Sequence, residues 1–318
     1  MVDNASLDGT AAAVTELAPE ARVIESDENL GYGAGCNRGA AAASGELLLF
    51  LNPDAAPAPG FREAIERPLT EDRGWAAWQG LVTAEGGTVV NTRGGVVHFT
   101  CVAWAGGAGE PLADSPGGTE ESGLATGGDG EPGFVSGACL AIPRELFARH
   151  GGFAEGFFLY HEDVELSLRL RLAGGRLGVE TAARVDHDYE FAKGASKWRQ
   201  LERNRWATML RTYPGTLLTL LAPALLATEL ALVPVSIAGG WRAQKVGAWL
   251  DTLRALPRLL RERREIQRGR AIDAAAFAHT LSPDLDSPYL GPMGRSRALR
   301  AALRAYWSAV LALLGSPG

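Results

Sequence analysis

Five consecutive apolar residues, Leu47-Leu48-Leu49-Phe50-Leu51, stand between Gly45-Glu46 and Asn52-Pro53-Asp54. A run this short, bounded by turn residues, predicts a buried parallel strand that ends in a turn. Strands of that kind build open α/β sheets, and such sheets bind ligands at the carboxyl ends of their strands. Asp54 therefore falls where a phosphate-bridging metal would be held.

Upstream lies the glycine-dense stretch Asn29-Leu30-Gly31-Tyr32-Gly33-Ala34-Gly35-Cys36-Asn37-Arg38-Gly39, leading into an alanine-rich helix. Glycines let the backbone approach a ligand closely, and a helix start offers free amides. Many ordinary turns look the same, and no Gly-Lys-Ser/Thr follows, so this is not a triphosphate P-loop. Downstream, Tyr160-His161-Glu162-Asp163 sets two acids at the mouth of an amphipathic helix, behind Phe157 and Phe158. One carboxylate can take a proton from a substrate hydroxyl while its neighbour anchors the acceptor or an amide. An acidic first turn that complements the helix dipole is the plainer explanation.

Taken in order, these segments resemble the family 2 glycosyltransferases, inverting enzymes with the GT-A fold, and most of all their rhamnosyltransferase-like branch. The likeness is carried by Val2 to Thr10, Asn29 to Gly39, Leu51-Asn52-Pro53-Asp54, Val135-Ser136-Gly137-Ala138-Cys139, Gly151-Gly152-Phe153 with Phe157-Phe158, Glu162-Asp163 and His187. The resemblance implies an α/β fold with an open mixed sheet, mostly parallel. It implies transfer of a sugar from a nucleoside-diphosphate sugar to a saccharide or polyprenyl-linked acceptor in cell-surface polysaccharide or glycolipid synthesis. Asp163 would be the general base, with Glu162 beside it. Asp54 and His187 would hold Mg²⁺ or Mn²⁺. Asn52 stands where the family usually has the first acid of Asp-x-Asp. Asp3 would contact the nucleotide base or ribose, unless it caps the following helix. Asn29, Gly31 and Asn37 would shape the nucleotide site, although turn chemistry accounts for the asparagines nearly as well. Lys193 and Ser196 would close over the diphosphate. Gln200 to Trp206 lacks the spacing of the Gln-x-x-Arg-Trp motif of processive synthases, which implies single-sugar transfer.

Composition agrees with a soluble α/β enzyme: 318 residues, 46% hydrophobic, suffice for one large domain and an appendage. Three cysteines without C-x-x-C spacing argue against a disulfide framework and against zinc. No tract suggests nucleic-acid binding. The first residues carry acids and no apolar stretch, so the expected location is cytoplasmic, peripheral on the inner face of the cell membrane.

The expected boundaries are 1–214 for the glycosyltransferase domain, divided at 80 into nucleotide and acceptor halves, and 215–318 for a helical appendage. Residues 106–133, rich in glycine and acids, are expected to be mobile. Thr216 to Ala238 is apolar and long enough to span a bilayer, but Pro223 and Pro234 interrupt helical bonding. Glu229 would cost on the order of 2.5–3.5 kcal/mol at the bilayer centre. Residues 241–270 carry a net charge of +6 against −13 for residues 1–240. Helices lying on an anionic membrane surface fit this pattern better than a span or plain helix packing.

Two other functions stay open at this stage. A sugar nucleotidyltransferase shares the sheet but should carry a glycine-rich turn with Arg and Lys, which is absent here. A catalytically impaired sugar-nucleotide-binding or membrane-scaffold protein is the other, because family members begin with a further apolar strand and helix. By that comparison about 30 residues are wanting, Met1 is not the natural start, and the chain should be poorly stable and weakly active.

Overall fold

The structure, a computed structural model, describes residues 1–112, 131–188, 194–286 and 296–317. The segment expected to be mobile falls largely outside these residues, as does Lys193. The first half alternates short strands and helices: β1 (Val2–Asp3), α1 (Thr10–Leu17), β2 (Ile24–Glu25), α2 (Tyr32–Ala42), β3 (Leu47–Leu51), β4 (Ala56–Pro57) and α3 (Phe61–Thr70). Then come β5 (Trp75–Ala84), β6 (Val89–Thr92), β7 (Gly95–Val97), β8 (Ala103–Ala105), β9 (Cys139–Pro143) and α4 (Arg144–Arg149). The acid pair opens α5 (Glu162–Leu172), which is followed by β10 (Arg176–Asp186). The rest is helical: α6 (Ser196–Thr212), α7 (Gly215–Ala238), α8 (Arg242–Arg268), α9 (Ala274–His279) and α10 (Arg297–Leu314).

The central sheet runs β3-β9-β5-β10-β4, with β6 on β5, while β1 and β2 form a separate parallel pair. It is mixed, as expected, but not mostly parallel. Within it only β5 and β10 run parallel; β3–β9, β5–β9, β5–β6 and β4–β10 are antiparallel. Parallel neighbours need a crossover, usually a helix, and α1 supplies one between β1 and β2. β9 is instead entered from the β7–β8 excursion and comes back against β3. The apolar run 47–51 is therefore an antiparallel strand at a sheet edge, with Leu49 38% exposed.

Helix α5 sits between sheet and appendage, and its sequence explains why. Leu166 and Leu170 join Leu48, Phe50, Ala77, Leu140 and Ile142 in the core over the sheet. Val164, Leu168 and Leu172 join Met209, Leu217, Leu221, Phe277 and Trp307 in the core shared with the later helices. Apolar residues spaced four apart on two faces let one helix bury both. Past the first turn its buried charges are matched: Glu165 receives Arg169 at 2.9 Å and Arg211 at 2.8 Å. Arg171 is paired with Glu131 at 2.7 Å.

The core passes without a break across Pro214, and α6 packs along α8, so residue 214 marks a change of element but no gap in packing. Helix α7 continues through Pro223 and Pro234, both on its exposed side. It is long and apolar enough to cross a membrane by length and composition, with only 17% of that window buried. Glu229 is not a stray charge within it. Lys245 reaches it at 2.7 Å and the Trp249 indole N–H at 2.7 Å, while Arg205 bridges it to Glu202. Two acids and two bases thus make a neutral buried cluster linking α6, α7 and α8. Opposite its buried seam, α8 exposes Val246, Leu250, Leu253, Pro257 and Leu260, which fall on one stripe at 100° per residue.

Candidate active site

The acid pair is held by backbone geometry. Phe158, Tyr160 and His161 all have positive φ, at 65°, 71° and 67°. Non-glycine residues rarely adopt this region, so such a cluster persists only where its surroundings fix it. Asn204 of α6 does so: its Nδ2 donates to the carbonyls of Phe157 (3.0 Å), Leu159 (2.9 Å) and Tyr160 (2.7 Å). Arg203 adds a bond to the Phe157 carbonyl. From the other side, the Tyr32 amide donates to the Phe158 carbonyl at 2.7 Å. Gly31, with φ of 83°, makes that approach possible, because a Cβ there would overlap the Phe158 carbonyl.

The Asp163 carboxylate accepts from the amides of Gly137 (3.0 Å) and Val164 (2.8 Å) and is half-buried. Gly137 is itself fixed by the Tyr32 hydroxyl, which donates to its carbonyl at 2.6 Å. Glu162 lies buried beside it, and its Oε2 has no hydrogen-bond partner among the described residues. Burial raises the Asp163 carboxyl against the pull of its amide bonds. Burial, then the charge of Asp163, pushes Glu162 up to about 8. Two carboxyls so placed hold a proton well above the usual carboxylate range, as a general base needs.

At the carboxyl end of β3 the chain brings Asp54 to His187, which follows β10. Asp54 Oδ1 lies 3.0 Å from His187 Nε2, and Asn52 Nδ2 lies 3.2 Å from the same nitrogen. His187 is buried, whereas the Asp54 side chain is 64% exposed. Asp54 is thus open to a ligand, and the histidine behind it is fixed by backbone bonds to Thr83 and Asn91. No group of three or more His, Cys, Asp or Glu side chains has metal-binding geometry among the described residues. A carboxylate with one imidazole still fits a Mg²⁺-type ion, which takes most of its shell from phosphate oxygens and water.

The residues expected around the nucleotide mostly bond to protein. Asp3 is buried at the end of β1 and accepts from the Ser6 amide; Asp8 takes the Thr10 amide and hydroxyl at the helix start. Asn29 accepts from the Gly31 amide and from Asn4, a turn function. Asn37 has a different partner from the one expected. Its amide bonds both N–H and C=O of Phe153 and reaches Glu155, tying α2 to the acid-pair loop. Ser196 is exposed at the start of α6. Asn204, Tyr32 and Asn4 were not singled out from the sequence. For Asn204 the signal was the Arg203-Asn204 pair inside a buried helical stretch, an amide with no surface reason to be there.

The comparisons with known proteins follow this geometry. Residues 1–122 match the family profile described as glycosyl transferase family 2. An N-acetylglucosaminyl-diphospho-decaprenol L-rhamnosyltransferase of Mycobacterium tuberculosis is 27% identical over 230 residues, covering 66% of this chain and 72% of that protein. The O-antigen biosynthesis protein RfbC of Myxococcus xanthus is 32% identical over 171 residues, which are 53% of this chain but 13% of that protein. Among solved structures, GalNAc-T7 with UDP, GalNAc and Mn²⁺ is similar with a TM-score of 0.49 and 17% identity, covering 66% of this chain and 41% of that one. A mannosyltransferase from Pyrobaculum calidifontis has a TM-score of 0.45 and 19% identity, covering 79% and 76%.

The family profile and the curated relatives indicate a glycosyltransferase. Over residues 1–122 the chain matches glycosyl transferase family 2, and its curated relatives support a family 2 glycosyltransferase of the rhamnosyltransferase-like branch.

Proposed function

We propose that this glycosyltransferase moves a single sugar from a nucleoside-diphosphate sugar to a lipid-linked saccharide acceptor, with inversion, during cell-surface polysaccharide synthesis. The observation that carries the proposal is the half-buried Asp163 carboxylate, held by the Gly137 amide beside a buried second acid. Asp163 takes the proton of the acceptor hydroxyl as that oxygen bonds the anomeric carbon. The bond from that carbon to the diphosphate breaks on the opposite face, and its electron pair leaves with the nucleoside diphosphate. Glu162 keeps a proton in the pair's resting state and so spares Asp163 a second buried charge.

Asp54 and His187 would hold Mg²⁺ or Mn²⁺, whose charge would offset that on the leaving diphosphate. Asp3, Asn29 and Gly31 would border the nucleotide. Ser196, with Lys193 just before it in sequence, would lie on the diphosphate side. The acceptor class is supported by the mycobacterial relative, which is named for a diphospho-decaprenol substrate. A cytoplasmic place on the inner membrane face is supported by the apolar stripe of α8 and the arginines around it.

The test is a panel of nucleotide sugars incubated with the intact protein and a polyprenyl-diphospho-N-acetylglucosamine acceptor, scored by nucleoside diphosphate release and by product. Release that depends on the acceptor supports the reading. Nucleotide-sugar binding without release under any donor would favour the impaired-enzyme alternative.

A further inference from the structure

Beside the acid pair lies a group of arginines that the proposed chemistry does not use. Arg199 and Arg203 come from α6, Arg254 and Arg258 from α8. The guanidinium of Arg258 lies against Gly156, so close that a Cβ there would overlap it. Arg203 bonds the carbonyl of Phe157 at 2.5 Å and the Asn204 side-chain oxygen at 2.9 Å, both neutral acceptors. Burial lowers its pKa, and the charges of Arg258 and Arg199 add to the effect, with Asp251 opposing. Asp251 is shared by Arg199 at 2.7 Å and Arg254 at 3.3 Å. Glu262 stands 3.8 Å from Arg258 but is also paired with Arg211. Positive charge therefore exceeds its local partners, within one short loop of Glu162 and Asp163.

The position along α8 adds a second constraint. At 100° per residue, Arg254 and Arg258 fall between the apolar stripe of Val246, Leu250, Leu253, Pro257 and Leu260 and the buried seam of Ala248, Thr252 and Leu259. One side of the cluster is thus the loop that presents the base, and the other is the exposed apolar stripe. A ligand reaching from the base across the arginines to the stripe must have a sugar, a doubly anionic link and an apolar tail, in that order. Guanidinium forks suit phosphate oxygens in paired contacts.

We propose that Arg203, Arg254 and Arg258 form the binding site for the diphosphate of a lipid-linked acceptor, with the lipid chain running along the exposed stripe of α8. The proposal rests on the lipid-linked acceptor reading above, and names the residues that recognise it.

The test uses the intact protein in detergent micelles with chelator present, so that a diphosphate cannot bind through the cation site. Farnesyl diphosphate, inorganic pyrophosphate and phosphatidylglycerol vesicles are titrated separately. In the Arg254→Gln/Arg258→Gln double variant, farnesyl diphosphate should bind about tenfold or more weakly. Arg258→Lys should retain more affinity than Arg258→Gln, because it keeps the charge. Vesicle binding should fall much less than farnesyl diphosphate binding. Equal losses on vesicles and on farnesyl diphosphate would make the arginines plain lipid-surface contacts, and unchanged farnesyl diphosphate binding would overturn the site. Both side chains are exposed, at 71% and 46%, so the variants should fold, with thermal melting as the check. Transfer assays separate the two readings. A wild-type protein inert toward every diphosphate acceptor, yet binding farnesyl diphosphate through these arginines, would sink the functional reading and leave the site standing.

Discussion

Asp54 and His187 are 133 residues apart in the chain, and their side chains meet at 3.0 Å. The contact joins the carboxyl end of β3 to that of β10 and leaves the carboxylate facing solvent. Chelator should stop turnover, and Mg²⁺ or Mn²⁺ should restore it. Asp54→Ala should weaken cation-dependent nucleotide binding strongly; His187→Ala should do so less, on the order of tenfold to hundredfold. Turnover that resists chelator would remove both residues from the metal site.

Asp163→Asn should cut transfer by about 10²–10⁴-fold, the usual contribution of a general base. Nucleotide affinity should stay within a few-fold, because the base acts on the acceptor. Kinetics with separate binding measurements decide the matter, and full activity in this variant would end the assignment.

The raised acid pair predicts a pH profile. Activity should rise with pH along a limb above the ordinary carboxylate range, since Asp163 must lose its proton to act. In Glu162→Gln that limb should stay in place, because Glu162 is already neutral when Asp163 ionises, and any further change near pH 8 should disappear. A limb that moves to lower pH would show that Glu162 is charged in the working pair.

Stability should depend on pH in two windows. Glu162 titrates near 4.5 unfolded and at about 8 folded, so the folded chain binds the proton more tightly and its stability falls as pH rises between these values. Glu202 is held down to about 2 by Arg205 and Lys245 against its burial, so its contribution is lost as pH falls below about 4.5 toward 2. Glu162→Gln should flatten the upper decline in urea titrations, and Glu202→Gln the lower one. A Glu162→Gln curve parallel to wild type up to pH 8 would contradict the first.

Asn204→Ala should lower kcat while sparing donor affinity, since the amide fixes the loop that carries the acids. The carbonyls of Leu159 and Tyr160 lose this donor while that of Phe157 keeps Arg203, and a buried carbonyl left unpaired costs about 1–3 kcal/mol. Thermal melting gives the stability loss, and a changed pH limb separates loop positioning from simple destabilisation. An unchanged kcat and limb would make Asn204 a packing residue only.

Much of the site could be read along the chain because its parts carry local signals. An apolar run closed by Asn-Pro-Asp marks a strand end, and two acids before Val164 and Leu166 mark a helix start. Glycines between Asn29 and Gly39 mark a close approach, although the neighbour turned out to be the Phe158 backbone. Asn37 looked like a nucleotide contact and instead bonds Phe153, because an amide side chain carries no label for its partner. Glu229 looked like an obstacle inside an apolar helix, until Arg205 and Lys245, from two other helices, met it.

By itself the sequence determined the elements, their order and the chemical types at the strand ends, because turn residues, apolar periodicity and charge act over a few neighbours. The strand directions, the edge position of Leu47–Leu51, the neutral cluster around Glu229 and the clamp of Asn204 on the acid-pair loop were decided by tertiary structure alone. Each depends on which backbone or charge arrives from far along the chain, and that is fixed by how the sheet and helices share one core.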